Sequence, residues 1–184
     1  PVVAGQVRRI GLGMRCAVIM GVTGCGKSDL GAAIDQSGQM GFADGSAFMP
    51  PACLEKMAVG LPLTDEDRRP WLLVVADHLR AADGSMAIEC SALKRSYRDL
   101  LRERVREPIF FLHLQIEAGA LVRRIISNGH HVPTSQHLAN QFAALEPLEP
   151  DEAGATIDAD QSPEAVFASA AQALGAAGFR QFAT

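Results

Sequence analysis

Apolar positions along the chain fall into short unbroken runs, separated by stretches in which they recur every three or four residues. The first run, Cys-Ala-Val-Ile-Met at 16–20, stops at Gly21, and a run of that length beside a glycine turn predicts a strand buried on both faces. Leu30, Ala33 and Ile34 then share one helical face, which predicts a helix over 29–37 that Gly38 stops. A second short run at 40–43 leads into Asp44-Gly45 and reads as a strand whose end delivers an acidic side chain. Residues 50–71 break the rhythm with proline turns and charges around a short helix at 52–59, and read as an insertion of the kind that binds a substrate. Leu72, Val75, Ala76 and Leu79 mark a helix over 71–82, closed by Asp83-Gly84; a third strand is predicted at 86–90 and a further helix through 97–106. Pro108 precedes Ile-Phe-Phe-Leu-His-Leu at 109–114, the strongest strand signal in the chain. Helices are predicted at 118–126 and 135–144, a last strand at 155–158, and a helix opened by Pro163 that runs to 174. Strands alternating with helices across short loops predict an α/β fold, a central parallel sheet of about five strands flanked by helices.

Composition narrows the function classes. At 184 residues with 48% hydrophobic and 21% charged positions, the chain has the make-up of a globular protein, which excludes a disordered or fibrous one. Seventeen Lys plus Arg against twenty-one Asp plus Glu leave a net charge of -4 without a lysine-rich block, so nucleic acid is not expected as a partner. No apolar run approaches the roughly 20 residues that cross a bilayer, and 1–14 lacks a hydrophobic signal core, so a cytoplasmic location is expected and a membrane partner is not. Cys16, Cys25, Cys53 and Cys90 stand singly, without zinc spacing, and read as reduced thiols. The expected organisation is an extension over 1–14, one domain over 15–175 with its insertion at about 46–71 and a lid at about 123–137, and a tail over 176–184.

One motif carries chemistry. Gly21-Val22-Thr23-Gly24-Cys25-Gly26-Lys27-Ser28 fits G-x-x-x-x-G-K-[ST] and lies between a predicted strand and a predicted helix, where a phosphate-binding P-loop must lie. Backbone N–H groups converge on phosphate oxygens only where side chains do not intrude, and Gly24 and Gly26 allow that approach at the positive end of the helix. Lys27 would bridge the terminal phosphates of ATP and the Ser28 hydroxyl would ligate Mg²⁺. Asp44 is placed to orient an acceptor hydroxyl, take its proton or hold a water on the metal; the plainer reading is a turn cap at Asp-Gly. Arg68, Arg69, Lys94, Arg95 and Arg98 bring positive charge towards the cleft, and an anionic acceptor would want a bidentate guanidinium among them. Gly129-His130-His131-Val132-Pro133, between two helices, reads as a lid or a surface turn, with a two-histidine metal site the weaker reading.

Several passages go beyond a P-loop: Met-Gly-Val-Thr-Gly-Cys-Gly-Lys-Ser at 20–28, Ala-Asp-Gly at 43–45, Glu-Lys-Met at 55–57, and Pro-Leu-Thr-Asp-Glu-Asp-Arg-Arg-Pro-Trp-Leu at 62–72. Cys-Ser-Ala-Leu-Lys-Arg-Ser-Tyr-Arg-Asp-Leu-Leu-Arg at 90–102, Gly-His at 129–130 and Gln-Phe-Ala-Ala-Leu-Glu-Pro-Leu at 141–148 join them. In these the chain resembles the gluconate kinases, small P-loop enzymes that phosphorylate the 6-hydroxyl of D-gluconate with ATP. The resemblance implies a P-loop kinase fold, ATP on 21–28, Mg²⁺ at Ser28, and a cytoplasmic homodimer. It also implies Asp44 as the acceptor-orienting acid, Arg123 as a lid-helix arginine near the phosphates, and Arg68, Lys94, Arg98 and His130 on the sugar acid. Departures from the family pattern cluster on the acceptor side: Ser46 for a second Asp, Met49 for a His, Cys53 for an Asn, and Ser127-Asn128 for an Arg-Lys pair. Two readings follow, a gluconate kinase with compensating contacts from Arg69, Lys94 or Arg124, or a nucleotide-binding paralogue with another acceptor or little activity; the intact P-loop and arginine passages favour the first.

Overall fold

The structure is a computed structural model that describes residues 15–59, 61–127 and 135–182. Five apolar runs form strands β1 (Cys16–Met20), β2 (Gly41–Asp44), β3 (Met86–Glu89), β4 (Ile109–Gln115) and β5 (Gly154–Asp158). They pair in parallel in the order β2-β3-β1-β4-β5. Their continuous hydrophobicity has a cause: β1 is buried along its whole length, with helices covering both faces of the sheet.

The helices are α1 (Lys27–Gln36), α2 (Pro51–Ala58), α3 (Asp65–Ala81), α4 (Arg95–Val105), α5 (Ala118–Ser127), α6 (Ser135–Ala144) and α7 (Pro163–Ala177), with single 3₁₀ turns at Gly45–Phe48 and Arg180–Phe182. Strand residues alternate between two cores. Ile19, Phe110 and Leu112 pack with Ile34 of α1 and Leu174 of α7, while Val18, Met20 and Phe111 pack with Leu72 and Leu79 of α3 and Leu101 of α4.

The predicted α/β sheet is the observed one, and the chief differences lie at helix ends. α3 begins at Asp65, well ahead of the expected start at 71, because Thr64 and Asp67 form a reciprocal capping box: the Thr64 hydroxyl accepts from the Asp67 amide at 3.2 Å, and the Asp67 carboxylate accepts from the Thr64 amide at 2.9 Å. Pro70 sits inside that helix as its sixth residue and forfeits one backbone hydrogen bond there. Half of the supposed insertion is therefore regular helix. The stretch beyond 175 is more than a tail, since α7 continues to Ala177 and Phe179 and Phe182 are buried in the core.

The order β2-β3-β1-β4-β5 puts β1 at the point where successive connections leave to opposite sides. A crevice opens there at the carboxyl ends of the strands, the place where open parallel sheets bind ligands. Chain segments after β1, β2 and β3 all emerge at that edge.

Candidate active site

A cavity of about 660 Å³ occupies this crevice. Its floor is the loop between β1 and α1, where Gly21, Gly24 and Gly26 adopt positive φ (140°, 82° and 99°), values that a side chain would oppose. Gly26 is the residue from which α1 starts, so the loop presents its amides at a helix N-terminus. Lys27 is 7% exposed; its ammonium donates to the Val22 carbonyl at 3.0 Å. Ser28 follows on the first turn of α1, and its hydroxyl donates to Glu89 Oε2 at 2.6 Å. Burial pushes the Cys25 thiol up and does the same to Cys90, which reaches about 12, so both cysteines near the loop stay protonated.

α6 grips the loop from the other side. Gln141, 9% exposed, accepts from the Thr23 amide at 2.7 Å and donates to the Thr23 hydroxyl at 2.8 Å. This glutamine opens the 141–148 passage, which on the sequence was legible only as a resemblance.

Cationic side chains from outside the loop also reach the cavity. Arg68 of α3 and Lys94, which precedes α4, both line it. Lys94 is held by Asp65 at 2.8 and 2.9 Å, and the Tyr97 hydroxyl donates to the same carboxylate. The Lys94–Asp65 hydrogen bond keeps the Asp65 carboxyl below its ordinary range, with help from Tyr97, and the Lys94 ammonium above its own. The Arg68 guanidinium has no hydrogen-bond or ion-pair partner among the described residues. Ser46 and Met49 line the cavity, as does Trp71, whose indole donates to the Gly45 carbonyl at 2.7 Å and fixes the turn after β2.

Four sequence expectations meet a different geometry. Arg98 is fully buried and outside the cavity: it forms a two-pronged ion pair with Glu152, 2.7 Å to each oxygen, and donates to the carbonyls of Ala92, Leu93, Glu146 and Pro147. It sets the loop that carries Lys94 and touches no acceptor space. Asp44 ends β2 exposed to solvent, and its carboxylate accepts from the Ser46 amide at 2.8 Å, the turn cap that its Asp-Gly context also predicted. Arg123 lies on the exposed side of α5, away from the cavity wall, whereas Arg124, one residue on, reaches the loop: it donates to the Cys25 carbonyl at 3.3 Å and to the carbonyl of Ala159 after β5. Cys53 is buried under α3 with its thiol on the Asp67 carbonyl at 3.3 Å, so it lines no acceptor pocket. His130 and the middle of the expected lid, 128–134, lie outside the described residues.

Glu89 is the principal residue that sequence reasoning missed. Its signal was the one that singled out Asp44, an acid at the end of a short apolar run, and the two are register partners on neighbouring strands. For a divalent cation the loop offers hard oxygens only, the Ser28 hydroxyl beside a carboxylate, and no group of three or more His, Cys, Asp or Glu ligands exists among the described residues. Such a set suits Mg²⁺, which takes few protein ligands and completes its shell with phosphate and water.

Parallel strands in this order, with a phosphate-type loop leaving the central one, put the chain among the P-loop kinases. No family model matches it. The chain is 40% identical to the gluconokinase of Gluconobacter oxydans over 163 residues, covering 86% of this chain and 90% of that one, and 35% identical to the thermoresistant gluconokinase of Escherichia coli, with 85% and 91% covered. In structure it is similar to a gluconokinase from Sinorhizobium meliloti (TM-score 0.80, 36% identical, 86% and 90% covered) and to a sugar kinase from Janibacter (TM-score 0.82, 40% identical, 90% and 96% covered). The chain belongs to the gluconokinase family.

Proposed function

We propose that the protein transfers the terminal phosphoryl group of ATP to the 6-hydroxyl of D-gluconate. The observation that carries this reading is one cavity lined both by the phosphate loop and by the guanidinium of Arg68, which has no hydrogen-bond or ion-pair partner among the described residues. A six-carbon acid spans such a space with its carboxylate on Arg68 and its far hydroxyl at the loop. Lys27 holds the transferring phosphate as charge develops on it, and Gln141 fixes the Thr23 corner of the loop. Ser28 would hold Mg²⁺, which supplies neutralisation of phosphate charge when bound. Lys94, tethered to Asp65, supports the acid end, and Arg124 takes the role that the resemblance assigned to Arg123. Asp44 would act on the acceptor only after releasing its cap on Ser46, and His130 would contribute from the lid. The alternative of a nucleotide-binding paralogue finds no support in the relatives, which are gluconokinases.

The same reading makes the protein a cytoplasmic homodimer, a state that sedimentation would test. Among the described residues no helix is long and apolar enough to cross a membrane. The direct test of activity is ADP release from Mg-ATP across a panel of sugar acids. Saturating, gluconate-dependent turnover is expected, and its absence would overturn the reading.

A further inference from the structure

We propose that the acceptor site also takes deoxy sugar acids, those with a methylene in place of a mid-chain hydroxyl, because the middle of the acceptor passes an apolar wall. The inference rests on the acid lying between Arg68 and the loop, and deepens that reading by naming its substrate class. Met49, Met57, Leu61, Leu63 and Trp71 all line the cavity, and all belong to the stretch that carries Arg68. That stretch follows β2, on the β3 side of the loop's own strand, whereas α5 and α6 follow β4 on the other side. Met57 is 40% exposed and Leu61 55%, so large apolar surface stands open at the cavity, where a bound ligand would cover it.

The polar groups of this wall are mostly spent. The Trp71 indole N–H, its one polar group, goes to the Gly45 carbonyl at 2.7 Å and leaves the ring for contact. The Asp65 carboxylate already accepts from Lys94 at 2.8 and 2.9 Å and from the Tyr97 hydroxyl. Among the described residues, this stretch leaves a ligand the Arg68 guanidinium and the small Ser46 hydroxyl. A carboxylate on Arg68 and a terminal hydroxyl at the loop fix the two ends of the acid. The hydroxyls on its third and fourth carbons lie farthest from both. A hydroxyl that gives up water to an apolar wall costs free energy unless it finds a partner, and a methylene there costs nothing. An apolar pocket separates an acid from its deoxy analogue by about 100-fold or less, whereas a site built to bond the hydroxyl rejects the analogue by about 10⁴-fold or more.

The test compares kcat/KM for D-gluconate and 3-deoxy-D-gluconate at saturating Mg-ATP, in wild type and in Met49→Gln, with melting curves as the control for folding. In wild type the deoxy acid should fall within about 100-fold of gluconate, and a larger loss overturns the proposal. Met49→Gln puts an amide on the wall and should shift the ratio towards gluconate by about 2- to 10-fold, the worth of one hydrogen bond. An unmoved ratio in the folded variant would show that the acid does not pass this wall, and overturns the proposal too. Calorimetric binding of the two acids to wild type with Mg-ADP reads the same preference without phosphoryl transfer. Comparable binding of both acids with no turnover of either would sink the kinase reading and leave the proposal standing. Binding of gluconate alone would overturn the proposal, and binding of neither acid would overturn both.

Discussion

Arg68 and Arg98 sit in neighbouring passages of the sequence and carry the same guanidinium, yet their surroundings give them different work. Arg68 lines the cavity without a hydrogen-bond or ion-pair partner among the described residues, whereas Arg98 is taken up by Glu152 and backbone carbonyls. Replacing Arg68 by alanine should raise the KM for gluconate by about 10- to 100-fold, the worth of hydrogen bonds to a charged group, with little change in melting temperature. Arg98→Met should instead cost about 3–5 kcal/mol of stability in urea titrations, because it removes the two-pronged partner of the buried Glu152 carboxylate and leaves it only Arg102, Arg95 and the Glu149 amide. Equal effects of both variants on KM, with neither affecting stability, would contradict this division. Part of it was legible: Arg98 shares a helical face with Leu101 and Val105, the spacing of a buried side chain. Its acid, fifty-four positions away, has no local signal.

At the scale of elements, the acceptor end of the site depends on where α3 begins. The capping box at Thr64 and Asp67 brings Asp65 and Arg68 into the first turns of a rigid helix, and Lys56 of α2 braces Asp67 at 2.7 Å. Thr64→Ala should lower stability by about 1 kcal/mol, read from urea midpoints, and raise the gluconate KM because Arg68 loses its fixed origin. A variant with wild-type stability and KM would show that the box contributes nothing. The stretch reads as an insertion in the sequence because four prolines, at 50, 51, 62 and 70, suggest turns. Pro51 stands at the first position of α2, where proline costs little, and in α3 the cap and the buried apolar face outweigh the hydrogen bond that Pro70 forfeits. β1 and β4 were legible for the opposite reason: each is a short apolar run buried on both faces, with no competing signal.

Across the whole molecule, two buried groups make stability sensitive to acid. His113 lies in the middle of the sheet, 3% exposed, with neither ring nitrogen hydrogen-bonded among the described residues. Burial, aided by the nearby Arg98 charge, pushes its pKa down from 6.5 to about 4. The unfolded chain therefore takes up this proton first as pH falls, so stability rises with pH between about 4 and 6.5 and is lost below that window, by up to about 3 kcal/mol. Burial pushes the Glu152 carboxyl up, but hydrogen bonds from Arg98, the Glu149 amide and Arg102 outweigh it and leave the pKa at about 2, down from 4.5. Its ion pair thus contributes above 4.5 and fades as pH drops towards 2. His113→Leu should flatten the melting temperature between pH 6.5 and 4, and a slope equal to wild type would contradict the role given to the histidine. Neither group was legible in the sequence, since the order of strands and the crossing of α4 decide what surrounds them. Phosphate loop, carboxylate at the strand end and Arg68 all converge on one crevice. ADP release from Mg-ATP, followed as D-gluconate is titrated in wild type and in Lys27→Ala, probes that convergence. Saturable, gluconate-dependent release that Lys27→Ala abolishes is expected; ATP binding without any acceptor-dependent ADP would rule it out.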